Sequence, residues 1–248
     1  MDDFFLFSLA LSAVFLAAGL VKGVTGMGLP TVAMGLLGSI MTPAAAAALL
    51  VVPSFVTNVW QLSAGHAIGK IARRFWTAML GIMVGALACS SMLVSADPKI
   101  TRVALGVTLI LYAIYALVSP RIGISVRSER WLSPLIGLMT GLITGMTGVF
   151  AIPAVPYFQA LNIEKDELVQ TLGLSFTVST VALASGLLWH GAYLPTQAGW
   201  SIAAIFPALV GMWLGQRIRA RISARIFRRI FLLFLLVIGI EMSVRPLL

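Results

Sequence analysis

Two short glycine-containing motifs interrupt the apolar sequence at related positions. The first is Thr25-Gly26-Met27-Gly28, and the second, displaced by 119 residues, is Thr144-Gly145-Met146-Thr147-Gly148. Each motif lies inside a long apolar stretch, so each predicts a break in a helix at membrane depth. Two breaks in the same order and in similar surroundings indicate a duplicated architecture.

The composition is typical of a membrane protein. Hydrophobic residues make up 60% of the 248 residues, charged residues only 10%, and the mean hydropathy is +1.02. Soluble domains carry about 25% charged residues. Lys22 is the only charged residue between Phe4 and Gly69, and none lies between Leu168 and Gln216. Each interval has room for at least two crossings of about 20 residues, and no alternating pattern of the β-barrel kind is present. We therefore predict an all-α polytopic protein in the lipid bilayer.

Further matches support a division into two repeats, residues 1–120 and 121–248. At a displacement of 121 the pairs of identical residues are Ser54 and Ser175, Phe55 and Phe176, Leu62 and Leu183, and Gly65 and Gly186. At the displacement of about 119 residues that relates the two glycine motifs, Lys22 of the first repeat corresponds to Thr140 or Gly141 of the second.

The basic residues predict the orientation of the helices. The formal net charge is +9, and Lys and Arg cluster in the connections 66–74, 120–130 and 217–229, which we expect on the cytoplasmic side. The connections 97–99 and 191–197 are expected outside. Segment 43–65 then runs inward and its counterpart 167–190 runs outward, so the two repeats are inverted.

This orientation makes residues 131–160 begin and end on the cytoplasmic side. Two passes of about 15 residues reach only ~22 Å each, which is short of a hydrocarbon core of ~30 Å. We predict a helical hairpin whose tip lies inside the membrane. By symmetry, residues 4–40 form a hairpin that enters from outside, although segment 4–22 is long enough to span alone. Each repeat is thus a glycine-broken hairpin plus three transmembrane helices.

The two breaks are candidates for an anion site. Glycine turns expose backbone N–H groups, and the helices that begin near Leu29 and Val149 direct their positive dipole ends toward the breaks. The alternative is that the glycines only permit close helix packing. Ser54, Asn58 and Gln61 share one helical face. The predicted substrate-binding residues are Lys22, Thr25, Gly26, Met27, Gly28, Asn58, Thr144, Gly145, Met146, Thr147, Gly148, Ser175 and Ser179.

Lys22 has two possible roles. A charged group at the bilayer centre costs about 2.5–3.5 kcal/mol, so such residues are usually functional. The ammonium either snorkels to the cytoplasmic interface or faces a cavity and attracts an anion.

Several other functions are disfavoured. The Arg residues lie between apolar segments, which indicates topology signals rather than nucleic-acid binding. No P-loop, G-x-S-x-G or H-E-x-x-H motif is present, and His66 and His190 are isolated, so we expect neither an enzyme nor a cofactor or metal site. Glu241 and Arg245 predict an ion pair; the alternative for Glu241 is a coupling carboxylate.

The sequence resembles the TauE/SafE family of sulfite and organosulfonate exporters. The resemblance rests on the stretch from Gly19 to Gly28 followed by Pro30, and on Gly137 to Gly148 followed by Pro153. Leu29 stands where a further glycine is often seen, and Thr147 splits the second motif. The resemblance implies a secondary transporter of the bacterial inner membrane that handles small sulfur-containing anions.

We therefore expect an anion exporter. An inside-negative potential contributes about 2.3 kcal/mol per 100 mV to the expulsion of one negative charge, so export needs no coupling ion in principle. Proton- or sodium-coupled uptake of a similar anion is the first alternative, and a membrane-embedded enzyme or assembly subunit is the second. A homo-oligomer is possible.

Overall fold

The protein folds into helices, as expected from the sequence. The computed structural model describes residues 2–118, 123–161, 163–219 and 223–247, which contain no strand; the predicted boundary between residues 120 and 121 lies outside them. The α-helices are α1 (Asp2–Thr25), α2 (Leu29–Ile40), α3 (Pro43–Ser63), α4 (Ile68–Ser95), α5 (Pro98–Val118), α6 (Val126–Thr147), α7 (Ala154–Ala160), α8 (Lys165–Trp189), α9 (Pro195–Ala203), α10 (Ile205–Arg219) and α11 (Ala224–Val244).

Six stretches of the described chain are long and apolar enough to cross a membrane. They are Phe4–Thr25, Pro43–Ser63, Ile68–Ser95, Pro98–Val118, Lys165–Trp189 and Pro195–Arg219, the last of which combines α9 and α10. Helix α11 was predicted to span but is not among them, because Arg228, Arg229 and Glu241 interrupt its apolar sequence.

The helices pack in pairs that join the two halves. Helix α1 lies along α10, α6 along α4, α3 against α8, and α5 against α11. Glycines bring the first two pairs into backbone contact: a Cβ on Gly19 would clash with the carbonyl oxygen of Ala208, and one on Gly145 with that of Ala86. Small residues commonly allow this close approach between membrane helices.

The second hairpin differs from the prediction of two passes of about 15 residues. Helix α6 has 22 residues, about 33 Å, whereas α7 has seven. Helix α6 begins before Trp131, in a charged stretch of sequence, for two reasons. Ser125 caps its first turn. Arg74 of α4 neutralises Glu129, with N–O distances of 2.6 and 2.7 Å. In the first hairpin, α1 has 24 residues and is long enough to span alone.

The two helix breaks have the same local geometry. Helix α1 ends at Thr25 and is followed by Gly26 with φ 78°; α6 ends at Thr147 and is followed by Gly148 with φ 70°. The hydroxyl of each threonine accepts the backbone N–H two residues later, at 3.3 Å. The two glycines that follow the helix ends are 122 residues apart, and at this displacement Lys22 falls on Thr144 rather than on Thr140 or Gly141.

Candidate functional site

Lys22 lies in the protein interior, one turn before the end of α1. Its side chain is 3% exposed, and Nζ donates to Thr57 Oγ1 at 3.2 Å and to Asn58 Oδ1 of α3. Lys22 therefore does not snorkel to an interface in this structure. An ammonium carries three N–H donors, and the described residues provide these two acceptors. One donor remains for a ligand.

Asn58 extends this network to a third helix. While its Oδ1 accepts from Lys22, its Nδ2 donates to Thr180 Oγ1 of α8 at 3.3 Å. Thr57 Oγ1 in turn donates to the carbonyl oxygen of Pro53 at 2.8 Å. Lys22 thus links α1, α3 and α8. Thr57 and Thr180 were not among the predicted site residues, although both lie on polar faces of apolar helices.

Three fully buried serines lie on the same two helices. Ser54 is one turn before Asn58 on α3, and Ser175 and Ser179 are on α8 next to Thr180. Each hydroxyl is buried without a hydrogen-bond partner in the described part of the chain. An unsatisfied buried polar group costs about 1–3 kcal/mol. These hydroxyls would be satisfied by a polar ligand held between α3 and α8.

The first break borders an open cavity. A Cβ on Gly26 would meet no atom within 4 Å, and Gly28, with φ 101°, precedes α2 without a side-chain cap. The uncapped first turn of α2 therefore directs N–H groups and a positive dipole end to this region. The cavity has a volume of about 290 Å³, and its lining includes Thr25, Met27, Tyr112, Arg219, Arg228 and Phe231.

The second break is closed by a side chain. Gly148 lies against Met34 of α2, whose Sδ and Cε would be 3.0 Å from a Cβ on that glycine. Thr144 and Thr147 are buried, and their hydroxyls donate to backbone carbonyls one turn earlier at 2.7 Å. No hydrogen bond joins the two breaks in the described part of the chain.

Gly145 and Met146 lie inside α6 rather than at its break. Gly145 packs on the backbone of α4. For this residue the structure therefore agrees with the alternative that the glycines permit close helix packing. The predicted pair of Glu241 and Arg245 is confirmed as an exposed ion pair at 3.2 Å.

The chain matches a family model over nearly its whole length. The model is described as Sulfite exporter TauE/SafE, and the match covers residues 11–242. No curated protein and no solved structure matches the chain.

Proposed function

Because the chain belongs to the sulfite exporter TauE/SafE family of transporters, we propose that it exports sulfite or a small organosulfonate across the bacterial inner membrane. The observation that carries the proposal is Lys22. It is the only charged residue in α1 after Asp3, it is buried, and its hydrogen-bond partners are the neutral side chains of Thr57 and Asn58.

An anion fits this arrangement electrostatically. Burial of an unpaired charge is costly, and the described residues place no carboxylate in hydrogen-bond contact with Lys22. A bound anion would offset that cost by neutralising the ammonium. Attraction is strong here because the protein interior screens charge less than water does.

The neutral groups fit an oxyanion in particular. Sulfite and sulfonates carry several acceptor oxygens, and hydroxyls donate well to charged acceptors. Ser54, Ser175 and Ser179 each supply one hydroxyl that has no partner within the described ranges. We assign these serines, Lys22 and Asn58 to the substrate site between α3 and α8, and Thr25 to Gly28 to its approach from the cavity.

The negative charge of the proposed substrate supports export as the direction of transport. The membrane potential alone favours the exit of an anion. Coupled uptake would need a group that binds H⁺ or Na⁺, and Glu241, the carboxylate considered for this role, is exposed and paired with Arg245. Export is therefore favoured over coupled uptake.

We also propose that the halves are inverted repeats. The helix pairs support a two-fold relation, since α1 with α10 and α6 with α4 exchange places under it, whereas α3 with α8 and α5 with α11 map onto themselves. The basic connections after α3 and before α6 favour inversion. The common break geometry at Gly26 and Gly148 provides independent support.

A flux assay in proteoliposomes tests the proposed function. We expect purified protein to transport ³⁵S-sulfite or methanesulfonate without an added ion gradient, at a rate that rises when the potential favours anion movement. A strict requirement for a proton or sodium gradient would instead indicate coupled uptake, and absence of flux for all such anions would reject the proposal.

The variant Lys22→Gln tests the role of the buried charge in the same flux assay. It removes the buried charge, so we expect at least a tenfold loss of flux at normal yield, because a hydrogen bond to a charged group contributes about 1.5–3 kcal/mol. Lys22→Arg should also lose flux because the planar guanidinium is larger. Lys99→Gln removes one exposed charge and serves as the control. Full flux by Lys22→Gln would remove Lys22 from the site.

A further inference from the structure

Two arginines from different helices meet at the cavity beside the first break. Arg219 is the last residue of α10, and Arg228 lies in the second turn of α11. Both line the cavity of about 290 Å³ together with Thr25 and Met27 of the break. The sequence places these arginines among six in the connection 217–229 and gives no sign that only some of them face a cavity.

The cavity borders α1 at Val24 and Thr25, and Lys22 does not line it. Lys22 lies one turn before Thr25 on α1, is buried, and contacts α3. Arg219 is exposed and Arg228 half-buried, so the arginines lie on the side of the break that is open to solvent. An anion that moves from solvent to Lys22 along α1 would meet the arginines first.

The side chains suit a small oxyanion. Guanidinium groups bind carboxylate, phosphate and similar oxyanions through two parallel N–H donors, and Arg stays charged at all physiological pH values. Arg228 is positioned at the wall by donation from a guanidinium nitrogen to the carbonyl oxygen of Ala116 at 3.4 Å. The apolar surfaces of Phe231 and Leu232 complete the lining. The volume is at the lower limit of small-molecule pockets, which fits a small anion.

We propose that this cavity is a second anion site, in which Arg219 and Arg228 bind a sulfite-like or sulfonate oxyanion before it passes to Lys22. This inference rests on the proposed function. It assigns the two arginines to substrate recruitment rather than to helix orientation alone. The site sets the apparent affinity on one face of the membrane, while Lys22 and the serines set the rate of passage.

Neighbouring arginines supply matched controls. Arg217 lies two residues before Arg219, and its guanidinium stacks over Trp213 at 4.1 Å from the ring centre. Arg229 follows Arg228 and is exposed. Neither lines the cavity. Arg217→Gln and Arg229→Gln therefore remove the same charge from the same connection as Arg219→Gln and Arg228→Gln.

The experiment measures sulfite flux in inside-out membrane vesicles as a function of sulfite concentration. We expect Arg219→Gln and Arg228→Gln to raise KM about five- to tenfold with the maximal rate within twofold of wild type, and both controls to stay within twofold in both parameters. Equal behaviour of all four variants, or a fall in maximal rate at unchanged KM, would overturn the inference.

A binding measurement separates this inference from the proposed function. Thermal unfolding of the detergent-solubilised protein is followed with and without sulfite. If wild type transports nothing but is stabilised by sulfite, and Arg219→Gln and Arg228→Gln abolish the stabilisation, the arginine site stands and the exporter proposal falls. If sulfite stabilises none of the proteins, the arginine site falls.

An anionic lipid headgroup offers the same oxyanion chemistry. Reconstitution in phosphatidylcholine alone and with added phosphatidylglycerol distinguishes the sources. A KM difference between wild type and the cavity variants that persists in phosphatidylcholine supports the soluble anion. A difference that appears only with phosphatidylglycerol would overturn the assignment in favour of a lipid site.

Discussion

Two fully buried serines illustrate how the same residue type serves different purposes. Ser201 of α9 donates to the carbonyl oxygen of Leu49 at 2.8 Å and accepts the N–H of Val52 at 3.1 Å. Leu49 needs this donor because Pro53, four residues later, has no N–H to offer. Ser179 of α8 has no partner in the described part of the chain. Ser201 therefore stabilises the fold, whereas we propose that the Ser179 hydroxyl binds the substrate.

Alanine substitutions separate these roles. Ser201→Ala leaves Leu49 unsatisfied and should cost about 1–3 kcal/mol of stability, with flux per folded molecule retained. Ser179→Ala removes a hydroxyl that has no partner, so the unfolding temperature should stay unchanged or rise, while kcat/KM for sulfite falls about 10- to 100-fold. Thermal unfolding and flux are measured on the same preparations. A destabilised Ser179→Ala variant with normal flux would place Ser179 in the scaffold instead.

At the residue scale, the sequence singles out a residue whose type is rare in its surroundings. It does not distinguish a residue from several neighbours of the same type. Lys22 is conspicuous in the sequence as the only charge in a long apolar interval, and Asn58 lies on a polar helical face. The structure buries both side chains and joins them by a hydrogen bond, and their role in substrate binding stays a prediction. Arg219 and Arg228 could not be distinguished from their neighbours, since the difference depends on how α10 and α11 pack around α1. Arg217 stacks over Trp213 and does not line the cavity, although it is only two residues before Arg219.

At the scale of helices, the sequence also predicts some features and not others. Most of the long apolar helices begin and end within a few residues of the prediction, because twenty apolar residues admit few other structures in a bilayer. Helix α4 is the exception, since it begins at Ile68 within the predicted connection 66–74. The unequal arms of the second hairpin were not, because Glu129 becomes compatible with a helix through its pairing with Arg74, 55 residues earlier. Sequence identity also aligned the two motifs three residues away from the register that the positive φ angles of Gly26 and Gly148 define.

Three glycines provide a test at this scale. Gly145 touches the backbone of α4, so Gly145→Ala should lower the unfolding temperature and the membrane yield. Gly26 borders open space but has φ 78°, a conformation that costs most residues about 1–2 kcal/mol and that asparagine tolerates better. Gly26→Asn should therefore insert normally and impair flux, because its side chain enters the cavity.

Gly69→Ala is the control for these variants, since a Cβ there meets no atom and its backbone is helical. It should be neutral or stabilising by up to about 1 kcal/mol. Wild-type stability of Gly145→Ala would contradict the close packing of α6 on α4. Wild-type flux of Gly26→Asn would remove the first break from the transport path.

Across the whole molecule, the two halves differ in the contacts made near the starts of α1 and α6. Arg74 of α4 and Glu129 of α6 form a bidentate ion pair in which Glu129 is buried and Arg74 is partly exposed. At the displacement of 122 residues, Glu129 corresponds to Phe7, which packs edge-on against Trp200 with ring centres 5.0 Å apart. One end of the proposed two-fold arrangement is thus held by charge and the other by aromatic contact. The breaks differ too, since Met34 covers Gly148 and leaves Gly26 open.

The inverted arrangement makes a prediction about sidedness. Helices α3 and α8 would be equivalent but oppositely directed, so the connections that follow them must lie on opposite faces of the membrane. The basic residues Lys70, Arg73 and Arg74 favour a cytoplasmic position for the first connection, and the second carries no Lys, Arg, Asp or Glu. Single cysteines at Gly69 and Thr196 report on the two connections, because each lies in the first turn of the helix that follows. A Cβ on Gly69 meets open space, and Thr196 is exposed.

The measurement is labelling of intact cells with a membrane-impermeant maleimide. Cys89, the only native cysteine, is first replaced by serine. We expect Thr196→Cys to react in intact cells and Gly69→Cys to react only after permeabilisation. Gly123→Cys, within the basic connection 120–130, should behave like Gly69→Cys, and Lys99→Cys should behave like Thr196→Cys. Labelling of Gly69→Cys and Thr196→Cys from the same side would exclude inverted repeats, because α3 and α8 would then run in the same direction.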